Sequence, residues 1–257
     1  MSVHATAVVA PEAELDSSVE VGPFTIIGPK VRIGAGTRIG PHVVIEGRTT
    51  IGKSNRIFQF AAVGAIPQDL KYAGEDSSLC IGDENQIREF ATLHLGTTGG
   101  GGVTRVGDQN LFMAYSHVAH DCQVASHCVV ANCGTLGGHV SLEDHVHVGG
   151  LAGVHQFARV GMLSFIAAGA MVTQDVPPYC TVHGNRAKLA GLNTVGLTRG
   201  GYSAEQISRI KSAYRSLFRS KLGRREAIAH VRAEHGAHAE IERLLRFVEG
   251  SERGIAR

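Results

Sequence analysis

The stretch "VGPFTIIGPKVRIGAGTRIG", Val21 to Gly40, repeats itself every six residues. Val21, Ile27, Ile33 and Ile39 lead the units, and each is followed by a glycine, Gly22, Gly28, Gly34 and Gly40. Four places after each lead stands a small or β-branched residue: Thr25, Val31, Thr37 and Val43. The same period extends back through Leu15, Val9 and Val3, and forward through Ile45, Ile51 and Ile57 to Val63. It resumes at Ile81, Ile87 and Leu93, and runs again from Val106 through Phe112, Val118, Val124, Val130 and Leu136 to Val172. Two coupled columns sustained over that length are an internal repeat, which decides the architecture before any single element does.

Each unit reads as a short strand and a turn, and three units make one triangular coil of eighteen residues. The lead aliphatic and the small residue point inward and fill a narrow prism. Large aromatics do not suit such an interior, which matches a chain with 5% aromatics, no tryptophan and 33 glycines. The pattern resembles that of the hexapeptide-repeat proteins, whose coil is an all-β left-handed parallel β-helix. The handedness rests on that resemblance, since the general crossover rule favours right-handed connections.

Two interruptions are expected to leave the prism as external loops, near 65–80 and 96–105. Between Val63 and Ile81 the phase is kept, but the inward positions would be Asp69 and Glu75, and buried unpaired carboxylates are costly. Between Leu93 and Val106 the phase slips by one, around "TTGGGGVT". The repeat ends at "DVPPY", and helical spacing follows. Ser203 and Gln206 form a candidate capping box, Gly223 is expected to end the helix they open, and two further helices are read near Ala227–Val231 and Ile241–Val248. The domains are therefore 1–190, the β-helix, and 191–257, a small α-helical domain.

No run of about 18 apolar residues is present, so no membrane span is expected. The start "MSVHATAVVA" lacks a signal-peptide pattern. Five cysteines without a C-x-x-C pair argue against a disulfide framework and a zinc ribbon, and point to reduced thiols and a cytoplasmic location.

The coil turns spacing into geometry, because residues 18 apart share a column with a rise of about 4.8 Å. His120, Gly138 and Gln156 fall in one column, and Asp121, His139 and Phe157 in the next. With His155 beside Gln156, the segment "YSHVAHDC" is expected to place His120, His139 and His155 together on one face. Three readings are open: a general base with its orienting carboxylate, a zinc site of the kind β-helical carbonic anhydrases hold, or an accident of a chain with 14 histidines. A glycine beside the pair leaves a backbone N–H accessible, as an oxyanion donor requires. His127, His145 and His147 read as surface decoration.

The segments "QDLKYAGE", "SHVAHDC", "GGHV", "VHQFARVG", "QDVPPY" and "GNRAKLAGLN" resemble those of the UDP-N-acetylglucosamine O-acyltransferases, the family that opens lipid A biosynthesis. The resemblance implies that His120 is the general base, that Asp121 orients it, and that Gly138 supplies the oxyanion N–H. It makes Gln68, Lys71, His117, His139, His155, Gln156, Asn193 and Arg199 substrate-binding residues, and Ala168 the acyl-chain ruler. It further implies a 3-hydroxyacyl donor carried on the phosphopantetheine of acyl carrier protein, a UDP-sugar acceptor, a homotrimer with clefts between subunits, no metal and no other cofactor. A 3-amino sugar nucleotide is the alternative acceptor, and a coenzyme A-dependent acetyltransferase the alternative enzyme. Leu95 stands where the family often has arginine, and "RGGY" replaces a more usual Arg-Arg-Gly-Phe.

Residues 199–225 carry eight cations against Glu205 alone, a local charge of +7 in a chain of formal net charge +2. Such a patch suits an acidic partner, and acyl carrier proteins are acidic. No aromatic interleaving or reading motif points to nucleic acid.

Overall fold

The computed structural model describes residues 2–257. Short parallel strands, mostly of two residues, stack into three sheets of 11, 9 and 8 strands, the walls of a triangular prism. Partners stand eighteen residues apart, Val3 on Val21, Val9 on Ile27 and Leu15 on Ile33. The lead aliphatics from Val21 to Val172 are buried, as are the small partners Thr25, Val31, Thr37 and Val43. Each fully buried aliphatic side chain contributes roughly 1.5–3 kcal/mol. The prism also admits one large ring. Phe112 is fully buried in a lead position between Ile87 and Val130, so aromatics are disfavoured in this interior rather than excluded.

Most other rings sit at the corners. There the chain turns through left-handed backbone, as at Phe24, His42, Phe60, Phe90 and Tyr115, whose rings stack in an outward-facing ladder. A second corner carries His127, His145 and Leu163, and a third carries Asp121, His139 and Phe157, all at positive φ. Left-handed backbone costs a non-glycine residue about 1–2 kcal/mol. The stacking of successive coils is what holds these residues there, and it points their side chains outward.

Both interruptions are external. Ser78 pairs with Arg48, thirty residues away, so the first loop adds twelve residues, two whole units. Asp69 and Glu75 cap that loop's own backbone instead of entering the prism. Ser78 also pairs with Val103, twenty-five residues on, so the second excursion adds seven and causes the phase slip.

The coil closes with an antiparallel hairpin, Cys180–His183 on Lys188–Leu192, which carries the sheet two residues past position 190. Four helices follow: α1 (Thr194–Arg199), α2 (Ala204–Phe218), α3 (Arg224–His235) and α4 (Ala239–Glu249). The capping box at Ser203 and Gln206 forms, each side chain bonding the other's backbone. The first expected helix ends at Phe218 rather than at Gly223, which instead caps α3. The short α1 was not read from spacing; the Asn193 side chain starts it by accepting from Gly196 N–H. All five cysteines are free thiols. Among the described residues no helix is long and apolar enough to cross a membrane.

Candidate active site

His120 and Asp121 occupy the corner between the second and third sheets, and Gly138 and His139 lie one coil above. His139 N–H donates to the His120 carbonyl, which locks the two coils in register. His120 Nδ1 lies 2.8 Å from Asp121 Oδ2. The carboxylate accepts, so Nδ1 carries the proton and Nε2 presents a lone pair. That nitrogen lies over Gly138, where an added Cβ would stand 2.6 Å from it. Only glycine lets the ring approach this closely. The Gly138 N–H is not spent on a backbone bond within the chain.

Asp121 is fixed by the second excursion. Thr97 N–H donates to Oδ1 at 2.9 Å and Thr97 Oγ1 to Oδ2 at 2.6 Å, while Asp121 N–H donates to Thr104 Oγ1 at 2.7 Å. Gly100 packs against the same carboxylate with no room for a side chain. Burial pushes the Asp121 carboxyl up, but the bonds from Thr97 and His120 outweigh it and leave the pKa below the usual value. Sequence reading missed Thr97. Its signal was the phase slip itself, because a slip in a strict repeat needs a reason.

A native pKa below the unfolded value gives stability that is present above about pH 3.9 and lost as pH falls through the native pKa. Thr97→Val should therefore cost about 1–3 kcal/mol near neutral pH by removing one of the two hydrogen bonds that Asp121 Oδ2 accepts, leaving only that from His120. The cost should shrink once Asp121 is protonated in both states. Urea unfolding of the two proteins at neutral and strongly acidic pH checks this, and an equal cost at both would remove the hydroxyl from that role.

Three further histidines line the second sheet's side of the corner. His139 stands edge-on to His120 at 5.1 Å and stacks on Phe157 at 4.2 Å. Burial lowers the His139 pKa; the nearby charge of Asp121, and more weakly of loop residue Asp69, opposes this. His117 bonds Thr92 Oγ1 through Nδ1 at 2.7 Å, and burial, then His120, lowers its pKa. His94, not singled out from sequence, stands edge-on to His117 at 4.8 Å and is buried with Nδ1 unpartnered. Burial first, then His117 and His120, takes it down to about 4. These rings are neutral near pH 7.

The other expected site residues are not all brought to this corner. His155 lies on this same corner, one position before Gln156 and stacked over Gly137, and its Nδ1 meets Arg253 at 2.8 Å. Gln156 is exposed beside it, and Gln68 and Lys71 are exposed on the first loop. Asn193 and Arg199 lie at the corner between the third and first sheets, in a groove of about 600 Å³ with His127, His145, His147 and Phe165. Ala168 is exposed at the remaining corner, where Gly169 N–H donates to the Gly150 carbonyl. One chain thus spreads the expected residues over three corners.

His120, Asp121 and His139 bring their donor atoms within 4.8 Å of one another, a spacing a metal ion can use. Asp121, however, already accepts three hydrogen bonds, and one of them orients His120. A β-helix of six-residue units bearing a carboxylate-held imidazole over a glycine fits the class of hexapeptide-type acyltransferases, whose chemistry needs a general base beside an oxyanion donor.

Comparison with known proteins gives the family. Residues 12–47 match the model of bacterial transferase hexapeptides, and residues 175–256 match domain 2 of UDP-N-acetylglucosamine O-acyltransferase. The chain is 63% identical over 255 residues, 99% of each chain, to an acyl-(acyl-carrier-protein)–UDP-N-acetylglucosamine O-acyltransferase of Myxococcus xanthus. It is 54% identical over the full length of both chains to one from Anaeromyxobacter dehalogenans. The solved UDP-N-acetylglucosamine O-acyltransferase (LpxA) of Moraxella catarrhalis superposes with a TM-score of 0.96 at 42% identity, covering 100% of both chains. The chain belongs to the UDP-N-acetylglucosamine O-acyltransferase family.

Proposed function

We propose that the protein transfers a 3-hydroxyacyl group from acyl carrier protein to the 3-hydroxyl of the glucosamine ring of UDP-N-acetylglucosamine. The carrying observation is His120, with Nδ1 held by Asp121 and Nε2 free over Gly138. Nε2 takes the proton of the sugar hydroxyl as its oxygen attacks the thioester carbonyl. The Gly138 N–H donates to the oxygen that becomes negative. The C–S bond then breaks, and the imidazolium returns its proton to the departing sulfur. Family membership supports this chemistry over a zinc hydratase, as does an aspartate already committed to hydrogen bonds.

His117, His139, His155, Gln156, Gln68 and Lys71 serve the acceptor and donor on one side. Asn193 and Arg199, at another corner, serve from a neighbouring chain in a homotrimer. A straight prism has no deep pocket of its own, so a cleft between copies supplies one. Acyl carrier protein docks on the outer face of α2 and the following turn. Arg209 is committed to Glu205 and Glu240, and Arg219 and Arg224 to backbone carbonyls, but Lys211, Arg215, Lys221 and Arg225 remain exposed. The reaction needs no metal or other cofactor and takes place in the cytoplasm.

Purified protein should acylate UDP-N-acetylglucosamine from 3-hydroxyacyl carrier protein and much less from acyl-coenzyme A. A preference for coenzyme A, or for a 3-amino acceptor, would overturn the reading of donor or acceptor.

Ala168 is read as the stop for the acyl chain. Each buried methylene contributes about 0.8 kcal/mol, while forced overpacking costs about 1–3 kcal/mol, so the clash wins once the chain reaches the stop. Ala168→Met should favour a shorter donor and Ala168→Gly a longer one. Competing donors of different lengths test this, and an unchanged preference across the three proteins removes the role.

A further inference from the structure

A cavity of about 560 Å³ lies at the C-terminal end of the prism, beyond the catalytic corner, and is lined by His155, Thr173, Arg186, Lys188, Arg253 and Arg257, among others. No carboxylate side chain lines it. Among the described residues, none of its four cationic side chains makes a salt bridge, whereas Arg32, Arg48, Arg88, Arg209 and Arg232 all do. Asp175, on the neighbouring turn, is buried and spent on Arg159 N–H and Ser251 Oγ.

The cavity is built rather than incidental. Arg253 Nε donates to the Thr173 carbonyl at 2.8 Å, and its terminal nitrogen lies 2.8 Å from His155 Nδ1. A guanidinium can only donate, so Nδ1 accepts and the His155 proton sits on Nε2. The Gln156 carbonyl 3.1 Å from Nδ1 is then a neighbour, not an acceptor. Arg186 and Lys188 approach from the terminal hairpin. Cations gathered without a side-chain counter-charge repel one another, and a polyvalent anion relieves that repulsion.

We propose that this cavity is a phosphate-binding site that anchors a phosphorylated substrate for the catalytic corner. His155 lies two coils beyond Ala119, so the cavity is about 10 Å along the axis from His120. Guanidinium groups match phosphate oxygens in pairs, and Lys188 adds a point charge. On the acyl-transfer reading the phosphate belongs to the UDP diphosphate or to the phosphodiester of the pantetheine arm.

Titration calorimetry at low salt, with UDP and 4′-phosphopantetheine as probes and uridine and pantetheine as controls, tests the site. Arg186→Gln with Lys188→Gln should weaken one phosphorylated probe at least tenfold, leave its unphosphorylated control unchanged, and raise the KM of the corresponding substrate with kcat nearly constant. The probe that weakens identifies the source. The charge-keeping pair Arg186→Lys with Lys188→Arg should retain binding. Should the double variant not fold, Lys188→Gln alone reports the same effect at reduced size. Unchanged affinity for both phosphorylated probes overturns the proposal. A wild-type protein that turns over while the variant binds normally refutes this site alone; a wild-type protein that binds phosphate without turnover refutes the acyl-transfer reading.

Discussion

His120→Ala should fold like the wild type and lose on the order of 10²–10⁴ in kcat, the usual contribution of a general base. The ring lies at the surface corner of the coil, outside the prism, and its removal leaves the buried columns intact. Its Nδ1 proton is spent on Asp121, so Nε2 is the free lone pair at this corner. His117 bonds Thr92 through its own Nδ1 and is not seated on a carboxylate, and His139 reaches Asp121 Oδ2 only at 3.8 Å. Neither substitutes well. Single-turnover acyl transfer with matched circular dichroism checks the prediction, and wild-type rates in a folded variant would remove His120 from the base role.

Gly138→Ala should cost about as much for a different reason. Loss or displacement of one oxyanion donor typically costs about 10²–10³ in kcat. Here the new Cβ would also stand 2.6 Å from His120 Nε2, so the base is pushed off its line. The backbone at Gly138 has negative φ, so the substitution does not strain the turn and the protein should fold. The result separates position from chemistry: kcat should fall far more than KM rises. A folded Gly138→Ala protein with wild-type kcat would mean that His120 does not work from this position.

The fold was legible because its core is written in a strict period. A lead aliphatic that skipped one position would turn outward, so the columns of Val21 to Val63 leave little freedom. The catalytic pair is legible for the same reason: a repeat of eighteen residues places Gly138 over His120. What spacing does not give is the partner of each side chain. His155 shares the face by spacing, and Arg253 arrives from 98 residues away to meet its ring. Thr97 and His94 lie where the period breaks, and periodicity says nothing there. Helix α1 is six residues held by one asparagine cap, too short to show a stripe.

On the proposed mechanism one reaction uses His120 of one chain and the Asn193–Arg199 corner of another. Mixed trimers test it most directly. His120→Ala and Arg199→Ala protomers, each nearly inactive alone, are co-assembled and shown to share trimers. Activity should return, because some clefts then pair an intact His120 with an intact Arg199. Mixed trimers no more active than either parent would contradict it.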